Sequence, residues 1–303
     1  MVDVCLAGTG GMMPLKNRWL TCCYMEYNGK AILIDCGEGT QIALSQSECR
    51  LSKLETLLIT HFHADHISGL PGLLLSLGNY SKKTPLKIYG PKGIGAVVNN
   101  LCCICGKLPY PIEITEIATN VSTELVLDEI DQMVSVKTIP LIHTVPCIGY
   151  SITFSRKPVF NPEKAEALNI PKKMWSILHN GENVEIDGNI ITTDMVTDGI
   201  RKPVKITYAT DTSPVDQIAD IGFRSDLLIC EGMYGDDENA ESMVEKCHML
   251  FSDALRIASD AEAERMWLTH YSPAMTNPNI YENSVRNSFS GAVISKDGQK
   301  ITL

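Results

Sequence analysis

The chain opens with short apolar bursts separated by polar turns: VDVCLAG (2–8), TCCYMEY (21–27), KAILID (30–35), ETLLIT (55–60) and LKIYG (86–90). Their length and their β-branched and aromatic content predict strands. A second series follows with ILHNGENVEIDG (177–188), VKITYAT (204–210), DLLIC (226–230), RMWLT (265–269) and GAVIS (291–295). Helix-type spacing lies between them in GTQIALSQSEC (39–49), HISGLPGLLLSLG (66–78), GIGAVVNNLC (93–102), VDQIADIG (215–222) and CHMLFSDALRIASDAEA (247–263). Strands that first run as a meander and then alternate with helices predict an α/β protein of packed sheet and helix layers. No short-period repeat and no low-complexity tract interrupts the pattern.

One stretch departs from it. Residues 155–205 are polar and punctuated by proline, with a short helix signal of their own in NPEKAEALN, where Pro162 stands at a helix start. This segment reads as an excursion from the core rather than another layer. Its eight Lys and Arg residues face seven Asp and Glu, a near-neutral balance.

A length of 303 residues suffices for one large domain or two modest ones. No apolar run approaches the roughly 20 residues of a membrane span. The opening MVDVCLAGTGG lacks the basic start and long apolar middle of a secretion signal, so a cytoplasmic protein without membrane association is expected. The 11 cysteines agree, being odd in number and set mostly inside apolar runs, as in a reducing compartment. Cys102, Cys103 and Cys105 cluster tightly, but no second Cys or His pair at ligand spacing accompanies them. The net charge of −10 argues against broad nucleic-acid binding by counterion release and leaves room for a local basic patch.

The chemistry collects at strand ends. ETLLIT runs into His61, VKTIPLI into His143, VKITYAT into Asp211, DLLIC into Glu231 and RMWLT into His270. The C-terminal edge of a sheet is where such residues share a crevice. The first end is the densest, with His61, His63, Asp65 and His66 inside HFHADH. In an extended segment His61 and His63 point the same way, while Asp65 and His66 lie at the start of the following helix. Imidazole and carboxylate donors suit zinc. Five His and two Asp exceed the four positions of one tetrahedral ion, which predicts a two-metal site. His179, in ILHNGEN, reads as a surface or turn histidine.

LLITHFHADH resembles the signature of the metallo-β-lactamase fold, an αββα sandwich. Asp35 in ILIDCGEGTQ matches that fold's supporting aspartate. Within the superfamily the chain looks most like ribonuclease Z, the tRNA 3′-processing endonucleases. GTGG, DCGEGTQ, THFHADHISGLPGLL, IYGP, IPLIHTVPCIGYSI, YATDT, LLICEGMY, HMLFSDALRIA and LTHYSP carry that match over nearly the full length. The resemblance implies a single domain over residues 1–303, with 155–205 as an inserted flexible arm that grips tRNA. It implies two Zn2+ per chain, one on His61, His63 and His143, one on Asp65, His66 and His270, with Asp211 bridging. Asp65 would also orient the attacking hydroxide or accept its proton. Glu231 and His248 would pair outside the metal set, His248 protonating the leaving 3′ oxygen. Lys16 and Arg18 in PLKNRW, with Lys172 and Lys173 in the arm, would contact RNA phosphates.

The implied function is a zinc-dependent phosphodiesterase that removes the 3′ trailer of precursor tRNA or cuts other structured RNA, working as a homodimer in which an arm serves the partner's site. Trp19 stands where the family has Asn, and HYSPAM lacks the Arg that usually follows the last metal histidine. A small-molecule phosphodiesterase or other metallo-hydrolase on the same dinuclear centre is the alternative. A non-catalytic RNA-binding relic would have lost members of the ligand set, and none is missing.

Overall fold

The structure, a computed structural model, describes residues 1–186, 188–199, 201–235, 243 and 245–303. The chain divides into two compact units, Met1–Thr153 with Lys205–Leu303, and Phe154–Val204.

The larger unit holds two seven-stranded sheets. In the first, β1 (Val2–Gly8), β2 (Cys22–Tyr27) and β3 (Lys30–Ile34) form an antiparallel meander. Then β4 (Leu54–Leu58), β5 (Leu86–Pro91) and β6 (Ile112–Ile117) add on in parallel. Parallel neighbours need crossovers. These are α1 (Thr40–Gln46), α2 (Ala64–Ile67) with α3 (Leu70–Asn79), and α4 (Ile94–Leu101). The second sheet contains β7 (Thr123–Val126), β8 (Val134–Leu141) and β9 (Cys147–Arg156). It continues through β14 (Arg201–Ala209), β15 (Leu227–Glu231), β16 (Met266–Thr269) and β17 (Ala292–Ile294), which run parallel to one another. Its crossovers are α7 (Gln217–Gly222) and the helices Phe251–Asp260 and Glu282–Ser288. The last strand, β18 (Gln299–Thr302), returns to pair with β1 in the first sheet.

Residues of inner strands such as β3, β15 and β16 are buried on both faces, which explains why these strands read as near-continuous apolar runs. Alternate positions such as Ala31 and Leu33 join Leu73, Leu74 and Leu77 of α3 in one helix-side core. Leu228, Cys230, Ala254 and Ile257 form its counterpart on the other sheet. The positions between them, such as Ile32, Ile34, Ile206, Tyr208 and Ile229, are equally buried and fill the space between sheets. Tyr150 Oη reaches the Ile59 carbonyl at 2.6 Å, and the Thr21 and Thr269 hydroxyls meet at 2.6 Å, tying one sheet to the other. The architecture is the expected αββα sandwich.

The Phe154–Val204 unit has a small core of its own in Ala165, Ile170, Leu178, Val184 and Val196. The pairs β10 (Val159–Phe160) with β13 (Thr197–Asp198), and β11 (Val184–Ile186) with β12 (Asn189–Ile191), frame α5 (Pro162–Ala167) and α6 (Lys172–His179). Asn161 caps α5, as the Pro162 signal predicts. The strand predicted over 177–188 is corrected at its front end. Ile177, Leu178 and His179 close α6, because Met174, Trp175 and Leu178 fall at helical spacing and pack inward. Among the described residues of this stretch, Val184–Ile186 extends as strand.

Candidate metal centre

The five strand ends converge as their sequence positions suggest. β4 stops three residues before His61, β8 two before His143, β14 two before Asp211, and β16 directly before His270, while Glu231 closes β15. Among the described residues three donor sets meet tightly enough to hold an ion, and two of them are built from the predicted ligands: His61, His63, His143 and Asp211, and Asp65, His66 and His270.

The spacing of these atoms tests the fit. Donors about 2.0–2.1 Å from a tetrahedral zinc stand roughly 3.3 Å from one another. His66 Nε2 lies 3.1 Å from His270 Nε2 and 3.2 Å from Asp211 Oδ1. His270 Nε2 lies 3.3 Å from Asp211 Oδ1, and Asp65 Oδ2 is 3.4 Å and 3.5 Å from His270 and His66. On the other side His63 Nδ1 and His143 Nε2 are 3.1 Å apart, and Asp211 Oδ2 is 3.8 Å from both His61 Nε2 and His143 Nε2. Asp211 therefore turns one oxygen to each set. His61 Nε2 and Asp211 Oδ1 are buried without a hydrogen-bond partner, atoms that a cation would satisfy. The residues fit two ions of zinc type.

The outer nitrogens fix which atom each ring presents. His61 Nδ1 meets the Thr60 hydroxyl at 3.0 Å, and His66 Nδ1 meets Asp35 Oδ2 at 2.8 Å. His143 Nδ1 faces the Cys247 carbonyl at 3.2 Å, and His63 Nε2 faces the Thr144 hydroxyl at 3.4 Å. Asp35 also accepts from the Thr60 amide at 2.8 Å and from its hydroxyl, so one carboxylate braces the whole HFHADH loop. Asp35, Asp211 and His270 all sit at left-handed φ values of 63°, 57° and 59°, a backbone state unusual for side-chain-bearing residues and found where structure overrides local preference. Thr60, Thr144 and the Cys247 carbonyl escape sequence reading, since isolated threonines and a main-chain atom carry no spacing signal.

Burial and charge act together on these groups. Burial holds the His61 pKa well below its usual range, with His66 adding to the effect, which leaves a neutral ring suited to a metal. For His66 burial also opposes charge, but Asp211 and Asp35 outweigh it and raise the pKa. Burial alone would raise Asp65; hydrogen bonding from His270 and His66 prevails and holds it far below the carboxylate range.

Glu231 and His248 stand beside this centre. His248 Nδ1 meets Glu231 Oε2 at 2.9 Å, and Glu231 Oε1 accepts from the Thr212 amide at 2.6 Å. Burial works against a charged His248, but the charge and hydrogen bond of Glu231, joined by Asp211 and Asp65, push its pKa up to about 9. His248 does not cap the next helix; that helix starts at Phe251, where Asp253 accepts from the Leu250 amide. Asp211, His248 and His270 also lie close enough to form a third donor set.

A cavity of about 500 Å³ opens over the centre, lined by His63, Asp65, His143, Tyr234, Lys246 and His248 among others. Lys16 is exposed. Arg18 is turned into the fold, donating to the carbonyls of Ser272 at 3.3 Å and Met275 at 2.8 Å with its guanidinium over the Tyr271 ring. A third bond runs to the Thr276 carbonyl at 3.4 Å, so Arg18 ties its own loop to residues 272–276. Trp19 is likewise built in, its amide on Asp297 and its indole on Gln46. Lys172 and Lys173 begin α6 in the smaller unit, both exposed. Cys102, Cys103 and Cys105 belong to none of the donor sets found among the described residues.

A family model described as anti-Pycsar protein Apyc1 matches residues 2–160. Ribonuclease Z of Lachnospira eligens is 45% identical over 305 aligned residues, covering 100% of this chain and 98% of the relative. Human tRNase Z, short form, superposes with a TM-score of 0.70 at 24% identity, covering 99% and 98% of the two chains. The metallo-β-lactamase fold protein YhfI of Bacillus subtilis superposes with a TM-score of 0.68 at 21% identity, covering 99% and 98%. No described helix is long and apolar enough to cross a membrane.

Proposed function

The chain belongs to the ribonuclease Z family, on the metallo-β-lactamase fold, and from that premise we propose that it is a two-zinc phosphodiesterase that cuts the 3′ trailer from precursor tRNA. The anti-Pycsar family model ends at residue 160, ahead of Asp211, Glu231, His248 and His270, whereas the Lachnospira relative spans them all. The observation that carries the reading is Asp211, one oxygen to each of two donor sets, directly beside the Glu231–His248 pair.

His61, His63 and His143 would hold one ion with Asp211 Oδ2, and Asp65, His66 and His270 the other with Asp211 Oδ1. When bound, the ions supply Lewis acidity to the phosphoryl oxygens and a water acidic enough to attack at neutral pH. Asp65 would orient that water or accept its proton. Glu231 holds His248 by Nδ1, leaving Nε2 for the cavity. As the P–O3′ bond breaks, His248 donates its proton to the departing 3′ oxygen, giving a tRNA with a free 3′ hydroxyl and a trailer with a 5′ phosphate. Lys16, Lys172 and Lys173 supply phosphate contacts, while Arg18 acts indirectly by holding the 272–276 loop. The protein works in the cytoplasm as a homodimer.

The test is to incubate the zinc-loaded protein with a precursor tRNA and map the cut, in parallel with bis(p-nitrophenyl) phosphate. A single cut at the start of the trailer is expected. Hydrolysis of the small diester alone would move the assignment to a small-molecule phosphodiesterase, the reading favoured by the near-neutral charge of segment 155–205.

A further inference from the structure

We propose that the glycine turn Thr9–Met12 is the positioning element for one of the two ions only, the one assigned to Asp65, His66 and His270. The proposal rests on the two-ion reading above.

Four of the five imidazoles in the centre have their outer nitrogen held by an oxygen: Thr60 for His61, Thr144 for His63, Asp35 for His66 and Cys247 for His143. His270 is the exception, since its Nδ1 is buried without a hydrogen-bond partner. What orients this ring is packing. A Cβ placed on Gly11 would stand 2.6 Å from His270 Cε1 and 2.8 Å from Nε2, so the ring lies flush on the bare Cα of that residue. The next residue serves Asp65. Met12 donates its amide to Asp65 Oδ2 at 2.7 Å, and that oxygen is the one lying 3.4 Å from His270 Nε2 and 3.5 Å from His66 Nε2. A carboxylate can rotate; this amide selects the oxygen and its direction.

The turn is itself clamped to the strand end it serves. Gly11 donates to the Tyr271 carbonyl at 3.0 Å, and Tyr271 donates back to Thr9 at 2.9 Å. Met12 sits at φ 65° with its amide on Asp65 and its side chain 57% exposed. Two adjacent residues thus act on two donors of the same ion, by shape on His270 and by hydrogen bond on Asp65. The other triad, His61, His63 and His143, receives nothing from the turn among the described contacts.

The experiment titrates metal-stripped full-length protein with Co2+ and follows each step by its ligand-field spectrum. Wild type is expected to bind two ions. Gly11→Ala is expected to weaken one of them about 10–100-fold, the range for loss of an orienting partner, and to leave the other unchanged. Replacing Met12 by its α-hydroxy-acid counterpart, which turns the amide into an ester and keeps the side chain, is expected to weaken the same ion; this variant decides the matter if Gly11→Ala does not fold. Met12→Gly keeps the N–H and relieves the φ, and is expected to retain both ions. Equal weakening of both steps, or none in either variant, would overturn the assignment while the two-ion reading stands. A wild type that takes up one ion would overturn both.

Discussion

At the scale of single residues, the pair most open to experiment is Glu231 and His248. His248 is close enough to Asp211 and His270 to be mistaken for a ligand, so metal content and turnover must be read together. His248→Ala is expected to lower turnover by about 10²–10⁴-fold, the contribution of a positioned proton donor, with zinc content unchanged. Loss of zinc measured by emission spectrometry would instead make His248 a ligand. The raised pKa of His248 gives a second prediction, with its sign fixed by the role. A proton donor works below its pKa, so activity should fall as pH rises through about 9. Glu231→Gln removes the carboxylate that outweighs burial, and the alkaline limb of the pH–rate profile should move toward lower pH. A limb that stays in place would assign it to another group.

At the scale of elements, the site is a product of parallel pairing. β14, β15 and β16 run parallel, so Asp211, Glu231 and His270 leave the sheet at one edge, and the parallel β4 does the same for the HFHADH loop. The Phe154–Val204 unit is a separate element with its own core, and its part in substrate binding can be tested separately. Deleting residues 160–200 should raise KM for precursor tRNA and leave hydrolysis of bis(p-nitrophenyl) phosphate intact; equal loss on both substrates would remove the segment from RNA recognition. The double substitution Lys172→Ala, Lys173→Ala should flatten the salt dependence of KM for precursor tRNA by about two units of log–log slope if each lysine contacts a phosphate. An unchanged slope would mean that neither does.

At the scale of the whole molecule, the metal centre sits between halves of the chain far apart in sequence, drawing on residues 61–66 and on residues 143, 211 and 270. Ions held there cross-link strand ends from both sheets and satisfy atoms that are otherwise buried alone. Binding to the folded state alone adds about 4 kcal/mol per ion at a free concentration 1,000 times its Kd. Chelation should therefore lower Tm by on the order of 15 °C for two ions in a chain of this size. A Tm indifferent to chelator in differential scanning calorimetry would mean that the ions, if bound, are held as tightly by the unfolded chain. The net charge of −10 places the burden of attracting RNA on local lysines rather than on the overall field.

The sequence by itself pointed to most of the inner strands and most of the helices, and it singled out seven candidate donors that the structure brings together. Apolar runs have a period, and His or Asp at the end of such a run has few structural reasons to be there. It also located the Glu231–His248 pair, though only through family likeness, since a glutamate closing one strand and a histidine 17 residues later share no period. The division of the donors into two sets was legible only through family likeness; tertiary structure alone decided their 3.1–3.8 Å approaches, which join residues with no fixed separation along the chain. The same holds for Arg18, whose guanidinium donates to three carbonyls of a distant loop, those of Ser272, Met275 and Thr276. It holds too for Gly11 and Met12, whose effect is exerted by a bare Cα and a main-chain N–H. A side-chain alphabet records donors and apolar surface; it does not record which backbone atoms they will meet.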